Sequence, residues 1–151
     1  MSSYIKFDKA LMTNLQESIR KELLRTSRSG AYASSTVVDC NTRKYHGLLV
    51  VPIPSIDDEN HVLLSSLDAS VVQHGAEFNL GLHFYQGGVM SPNGHKYIQG
   101  FNCDVIPTTT YRVGGVLLRK EVIFQTYTDR VMLRYTIDEA HSPVTLRLDR
   151  K

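Results

Sequence analysis

The sequence predicts a mainly β protein, an antiparallel β-sandwich carrying one amphipathic helix near its N-terminus. Three observations point there. Apolar and polar residues alternate over short runs, as when Val131, Leu133, Tyr135 and Ile137 interleave with Met132, Arg134, Thr136 and Asp138; that is the period of a strand with one buried face. Turn residues punctuate these runs at Gly87-Gly88, Ser91-Pro92-Asn93-Gly94 and Gly114-Gly115. Only one segment carries helical spacing. Short alternating strands joined by tight turns close on one another as antiparallel sheets, and 151 residues suit about one domain, residues 1–151.

Taken in order, Tyr4 to Phe7 alternates as a short strand, and Asp8 is placed to cap a following helix. Leu11, Leu15, Ile19 and Leu23 recur every four residues, a narrow stripe on a helix from about Lys9 to Leu24, with Glu17 and Lys21 pairing off the stripe. Gly30 to Val38 is small, hydroxyl-rich and β-prone. Tyr45 to Val51 is nearly all apolar and reads as a strand buried on both faces, with His46, Leu48 and Val50 on one of them; it ends at Pro52. Asp57 to Asn60 is an acidic hairpin tip, without the spaced ligands and glycine of a calcium loop. Strands are predicted over Val62 to Leu67, Ala69 to Gln73, Phe78 to Tyr85 and Tyr97 to Ile106, the last stopping at Pro107. Tyr111 to Val113 and Val116 to Tyr127 flank a two-residue hairpin turn; Val116, Leu118, Val122 and Phe124 share a face. Val131 to Asp138 and Val144 to Asp149 complete the alternation.

Composition excludes several classes. A net charge of +2 with interspersed signs offers no basic stripe for nucleic acid, and Arg20, Lys21, Arg25 and Arg28 read as a solvated helix end. The N-terminus lacks a secretory signal and no apolar run is long enough to span a bilayer. Cys40 and Cys103 have no metal-like spacing; they read as free thiols, with one disulfide as the alternative, and free thiols place the chain in the cytoplasm. His61, His74, His83 and His95 lack the spacing of metal ligands. Ser34-Ser35-Thr36 sits in no nucleophile elbow, and no phosphate loop or dinucleotide fingerprint is present, so no cofactor is expected.

The most site-like stretch is the polar connection Asp39-Cys40-Asn41-Thr42-Arg43-Lys44 followed by Tyr45 and His46. Planar polar side chains such as Asn41, Arg43 and His46 hydrogen-bond sugar hydroxyls, and aromatic faces such as Tyr32 and Tyr45 pack on ring C–H groups. The alternative is that Arg43 and Lys44 pair with carboxylates across an interface while His46 is a satisfied core histidine.

The motifs G-A-Y-A-S-S-T and N-T-R-K-Y-H-G-L-L-V resemble the N-terminal domain of bacterial and archaeal glycogen-debranching enzymes of the amylo-α-1,6-glucosidase type. Weaker likeness continues through Leu63-Leu64-Ser65, Tyr97 to Phe101, Pro107 to Tyr111 and Leu118-Arg119-Lys120. Relatives usually carry T-N-G-x-G-G before the tyrosine, where this chain has Thr26 to Ala31. The resemblance implies a supersandwich-like fold, incomplete at its C-terminal end, cut from a larger enzyme whose catalytic acids lie in a separate (α/α) barrel. Glycoside hydrolysis generally needs two carboxylates flanking the bond, and neighbours such as Asp57-Asp58-Glu59 or Asp138-Glu139 do not face each other across a sugar.

The chain alone is therefore expected to be inactive, with no catalytic residue of its own and no metal. Its expected role is to hold glycogen-like α-glucan through Tyr32, Asn41, Thr42, Arg43, Lys44, Tyr45 and His46 and to pack on the catalytic domain. Two other functions compete: a free-standing carbohydrate-binding module, weakened by the absence of tryptophan, and a structural domain that self-associates through exposed edges.

Overall fold

The computed structural model describes residues 5–151; Tyr4, expected to open the first strand, lies outside the described residues. In chain order the elements are β1 (Ile5–Asp8), α1 (Lys9–Thr13), α2 (Leu15–Ser18), β2 (Glu22–Thr26), β3 (Tyr32–Thr36), β4 (Gly47–Pro52), β5 (Asn60–Leu64) and β6 (Leu67–Gln73). Then follow β7 (Ala76–Asn79), β8 (His83–Tyr85), β9 (Val89–Ser91), a 3₁₀ turn (Gly94–Tyr97), β10 (Ile98–Cys103), β11 (Pro107–Val113), β12 (Val116–Phe124), β13 (Val131–Glu139) and β14 (Thr145–Arg150).

The mainly β, antiparallel expectation holds. A five-stranded sheet runs β1-β10-β11-β12-β13, a four-stranded sheet β2-β3-β4-β5, a three-stranded sheet β14-β6-β7, and β8 and β9 form a separate hairpin. The five- and three-stranded sheets share one core, on which Leu23 of β2 also packs. Ile98, Val113, Val116 and Leu118 of the large sheet pack with Ala69 and Val71 of β6, with Val37, Val38 and Cys40 after β3, and with Met12 of α1. Each such aliphatic side chain contributes roughly 1.5–3 kcal/mol when fully buried.

The single helix expected from Lys9 to Leu24 is two short helices and a strand. Asn14, extended at φ −86° and ψ 99°, interrupts it, and Glu22 to Thr26 pairs with β3 in register Glu22 to Thr36 through Thr26 to Tyr32. Leu11 and Leu15 on the short helices, Ile19 after them and Leu23 on β2 all still pack against the core, and a four-residue spacing is also a multiple of the strand period, so it does not distinguish the two for Leu23. Glu17 and Lys21 do not share a helix. The cap is where the sequence puts it: Asp8 Oδ1 accepts from Leu11 N at 3.0 Å. Asp8→Ala is expected to lower stability by about 1 kcal/mol in urea unfolding.

Several strand boundaries also differ from expectation, among them the predicted strand Val62 to Leu67, which ends at Leu64 while Leu67 opens β6. The predicted run Phe78 to Tyr85 is broken at Leu80–Leu82, where the chain turns inward and Leu80 and Leu82 are buried. The strand expected from Tyr97 to Ile106 spans only Ile98–Cys103, and Pro107, expected to stop it, instead opens β11, a position that needs no ladder donor. The strand expected from Tyr45 starts at Gly47, because Tyr45 and His46 belong to the preceding turn, with His46 N donating to Arg43 O at 3.1 Å.

Candidate functional site

The connection between β3 and β4 is built around two side chains that point inward. Asn41 Nδ2 donates to Ser65 O at 2.9 Å and to Ser65 Oγ at 3.1 Å, while its Oδ1 accepts from Ser35 Oγ at 2.7 Å. His46 is 5% exposed. Its Nδ1 accepts from Thr42 N at 3.0 Å and Arg43 N at 3.3 Å, so the ring proton sits on Nε2, which faces Glu22 Oε1 at 3.0 Å. The same Glu22 oxygen accepts from Arg43 Nε at 2.5 Å. The loop is thereby tied to β2 and to Ser65 just after β5, and its other side chains turn outward. Thr42, Arg43, Lys44 and Tyr45 are exposed, with Lys44 Nζ 5.0 Å from the centre of the Tyr45 ring. Tyr32 is half-buried beneath them, its hydroxyl 3.3 Å from Tyr45 O.

The Arg43 hydrogen bond holds the Glu22 carboxyl below its ordinary value of 4.5, against a smaller opposing effect of burial. The Arg134 guanidinium, bidentate at 3.0 and 2.8 Å, does the same for Glu121. A depressed folded-state carboxylate contributes stability that is complete above its unfolded pKa and is lost as pH falls through the folded one. Stability is therefore expected to decline below about pH 4.5. Glu22→Gln should flatten that decline, as read by urea midpoints across pH 3 to 6 (roughly the window of carboxylate titration).

Behind the loop lies a cavity of about 30 Å³, walled by Ser35, Asp39, Asn41, Ser65, Ser66, Asp68, Tyr111, Lys120 and Tyr135 together with the apolar Leu48, Leu67, Ala69 and Leu80 to Leu82. Lys120 occupies the core-facing position of β12 between Leu118 and Val122 and is 5% exposed. Its ammonium is 2.5 Å from Asp39 Oδ2. Burial is the largest single effect and pulls the lysine pKa down, but the Asp39 carboxylate together with Tyr111 and Tyr135 more than reverses it, and the net direction is upward. Asp39 reaches Lys120 from a left-handed backbone position, φ 58°. A turn holds it there: Thr36 Oγ1 donates to Cys40 O at 2.8 Å and accepts from Cys40 N at 3.0 Å. Tyr135, the direct cross-strand neighbour of Lys120, has a buried hydroxyl without a partner among the described residues. Burial raises the Tyr135 phenol pKa, so it stays a donor. Asp68, on β6, accepts from His83 Nε2 at 2.9 and 2.7 Å.

Both cavity carboxylates are engaged, Asp39 by Lys120 and Asp68 by His83. The arrangement suits hydrogen bonding to a neutral polar group rather than the free acid and base of glycoside hydrolysis. Among the described residues no three His, Cys, Asp or Glu side chains converge as a metal site requires.

Of the residues singled out in the sequence, Thr42, Arg43, Lys44 and Tyr45 form one outward surface, Tyr32 underlies it, and Asn41 and His46 are its internal supports. Glu22, Lys120, Tyr135, Asp68 and His83 were not in that set, and Asp39, though part of the site-like stretch, was given no role there. One signal was available for Lys120: it falls in step with Val116, Leu118, Val122 and Phe124, an even-numbered position on the buried face.

Comparison with curated proteins returned no match, and comparison with solved structures returned none. A family model does match. Residues 21–150, covering β2 through β14 and so both the outward loop and the cavity, fit the family described as glycogen debranching enzyme N terminal. The resemblance read from N-T-R-K-Y-H-G-L-L-V is thus matched along nearly the whole chain, and the protein belongs to the glycogen debranching enzyme N-terminal domain family.

Proposed function

We propose that this domain binds α-glucan on the outward face of the Thr42–Tyr45 loop and packs on the catalytic domain of a debranching enzyme that cleaves α-1,6 branches. The observation that carries the reading is the loop's construction. Asn41, His46 and Glu22 fix its backbone from within, leaving a hydroxyl, a guanidinium, an ammonium and an aromatic ring presented together to solvent. Preorganised polar groups beside an aromatic face are what sugar recognition needs, since ordering cost at binding is then small. Glu22 already pairs with Arg43, which favours ligand contact over an interface ion pair for that residue.

The packing role is supported by the β8–β9 hairpin, where Phe84 and Tyr85 are each 52% exposed and Val89 is 56% exposed. Apolar surface of that kind is the usual mark of a covered face. Phe84→Ser with Tyr85→Ser is expected to change the stability of this chain by no more than about 0.5 kcal/mol. In the full enzyme the same pair should loosen domain docking, seen as faster proteolysis between the domains. Two buried free thiols, Cys40 and Cys103, fit a reducing, cytoplasmic location. Among the described residues no helix is long and apolar enough to cross a membrane.

The functional test is kinetic. In a debranching enzyme carrying this domain, Tyr45→Ala and Arg43→Ala should each raise KM for a branched dextrin about fivefold with kcat little changed, the pattern of lost uniform binding. Unaltered KM in both variants would contradict the glucan-binding role.

A further inference from the structure

We propose that the cavity at Lys120, Asp39 and Tyr135 is a subsite for the exocyclic hydroxymethyl group of a glucose residue, entered past the Asp39 carboxylate. The proposal rests on the α-glucan reading and assigns a second, enclosed recognition point to it.

The hydrogen-bond inventory defines the ligand. A lysine ammonium has three donors, yet among the described residues Asp39 is the one hydrogen-bond partner of the buried Lys120 ammonium. Across the strand pair, the Tyr135 hydroxyl is buried and unpartnered. Ser35 and Ser66 add hydroxyls to the wall. A buried donor without a partner is costly, so the Tyr135 hydroxyl, with the spare donors of Lys120 beside it, calls for an oxygen in the cavity. A hydroxyl supplies what is missing: its lone pairs accept from Lys120 and Tyr135, and its proton is available to an Asp39 oxygen.

Charge excludes the competing ligand classes. Asp39 neutralises Lys120, and Asp68 adds a further carboxylate held by His83, so no net positive field remains to hold phosphate. A cation would be set beside the buried ammonium. A neutral polyol is left. Size then selects the part of it that enters. About 30 Å³ accommodates one or two water-sized groups, hence the carbon and oxygen of a hydroxymethyl arm but not a pyranose ring. The mouth is at Asp39, whose side chain keeps 39% exposure. Asn41 and Ser65 line the same cavity, so the outward loop and the subsite share a wall. The left-handed φ of Asp39 fits this assignment, because strain of that kind concentrates where a side chain must be aimed.

The test compares methyl α-glucoside with methyl α-xyloside, which differ by the hydroxymethyl group alone, in amide and side-chain NMR titrations of the 151-residue chain. The glucoside is expected to shift Asp39, Lys120 and Tyr135 resonances, and the xyloside at equal concentration to do so at least severalfold less. Tyr135→Phe keeps the ring in place and should weaken the glucoside response about fivefold. Equal responses to both sugars, or a Tyr135→Phe chain that binds like the parent, would overturn the subsite. Shifts confined to Thr42–Tyr45 would overturn it while leaving the loop reading intact; no shift anywhere would count against both.

Discussion

Gly94→Ala is expected to abolish the native fold, with a loss of about 4 kcal/mol or more and disappearance of dispersed amide NMR signals. A Cβ at this position would land on the backbone carbonyl of Leu80, which cannot swing aside as a side chain would. Both residues are tied down. Gly94 N donates to Gly81 O at 2.9 Å, and Leu80 N donates to Ala69 O at 2.8 Å. Leu80 to Leu82 forms one wall of the cavity at Lys120, so this contact between the 3₁₀ turn and the β7–β8 link sets the position of that wall. Gly75 provides the control. It has a left-handed φ of 76° but open space where a Cβ would point. Gly75→Ala should therefore cost only about 1 kcal/mol, the ordinary penalty for a left-handed non-glycine residue. Similar losses for the two substitutions would mean that the Leu80 contact is not as tight as described.

The second large effect belongs to Asp39→Asn. Removing one partner of a buried ion pair leaves the other charge uncompensated, which costs about 3–5 kcal/mol in a dry interior. The 39% exposure of Asp39 admits solvent, so about 2–3 kcal/mol is expected here, read from urea unfolding at pH 7. Adding Lys120→Met to Asp39→Asn should recover much of the loss, because an apolar side chain of similar length suits the site once the carboxylate is gone. The pH dependence gives a separate check. In the parent chain Lys120 has a raised pKa, so its contribution is complete below the ordinary lysine value of 10.5 and is lost only as pH rises through the raised one. Without Asp39, desolvation takes over and the folded-state pKa falls below the unfolded value. The unfolded chain then binds more protons, stability rises with pH, and the deficit of Asp39→Asn should shrink as pH approaches 10.5. A deficit that grows with pH would be the wrong sign for a buried lysine.

Strands were legible in this sequence where one face is apolar and the turn is explicit. The Gly114-Gly115 hairpin and the alternation of Val131 to Ile137 map directly onto β11, β12 and β13. The N-terminal helix was misread because a four-residue apolar spacing satisfies a strand as well as a helix; backbone pairing of Glu22 to Thr26 with β3 decided between them. The site divides the same way. The loop motif was visible as a cluster of adjacent residues, Asn41 to His46. The orientation of its side chains was not, because it depends on Ser65 and Glu22, which lie 24 residues from Asn41 and 24 from His46. The Lys120–Asp39 pair joins residues 81 apart, and no local pattern announces a contact of that range. The buried lysine interrupts an apolar face, and taking Val116, Leu118, Val122 and Phe124 as that face passed over the residue between them.

The central claim is that the outward face of the Thr42–Tyr45 loop holds α-glucan. Its most direct test is a titration of this chain with maltooligosaccharides, followed residue by residue in amide NMR spectra. Saturable shifts at Thr42, Arg43, Lys44 and Tyr45, lost in Tyr45→Ala, are the predicted result; unchanged positions for those amides at high millimolar sugar would contradict it.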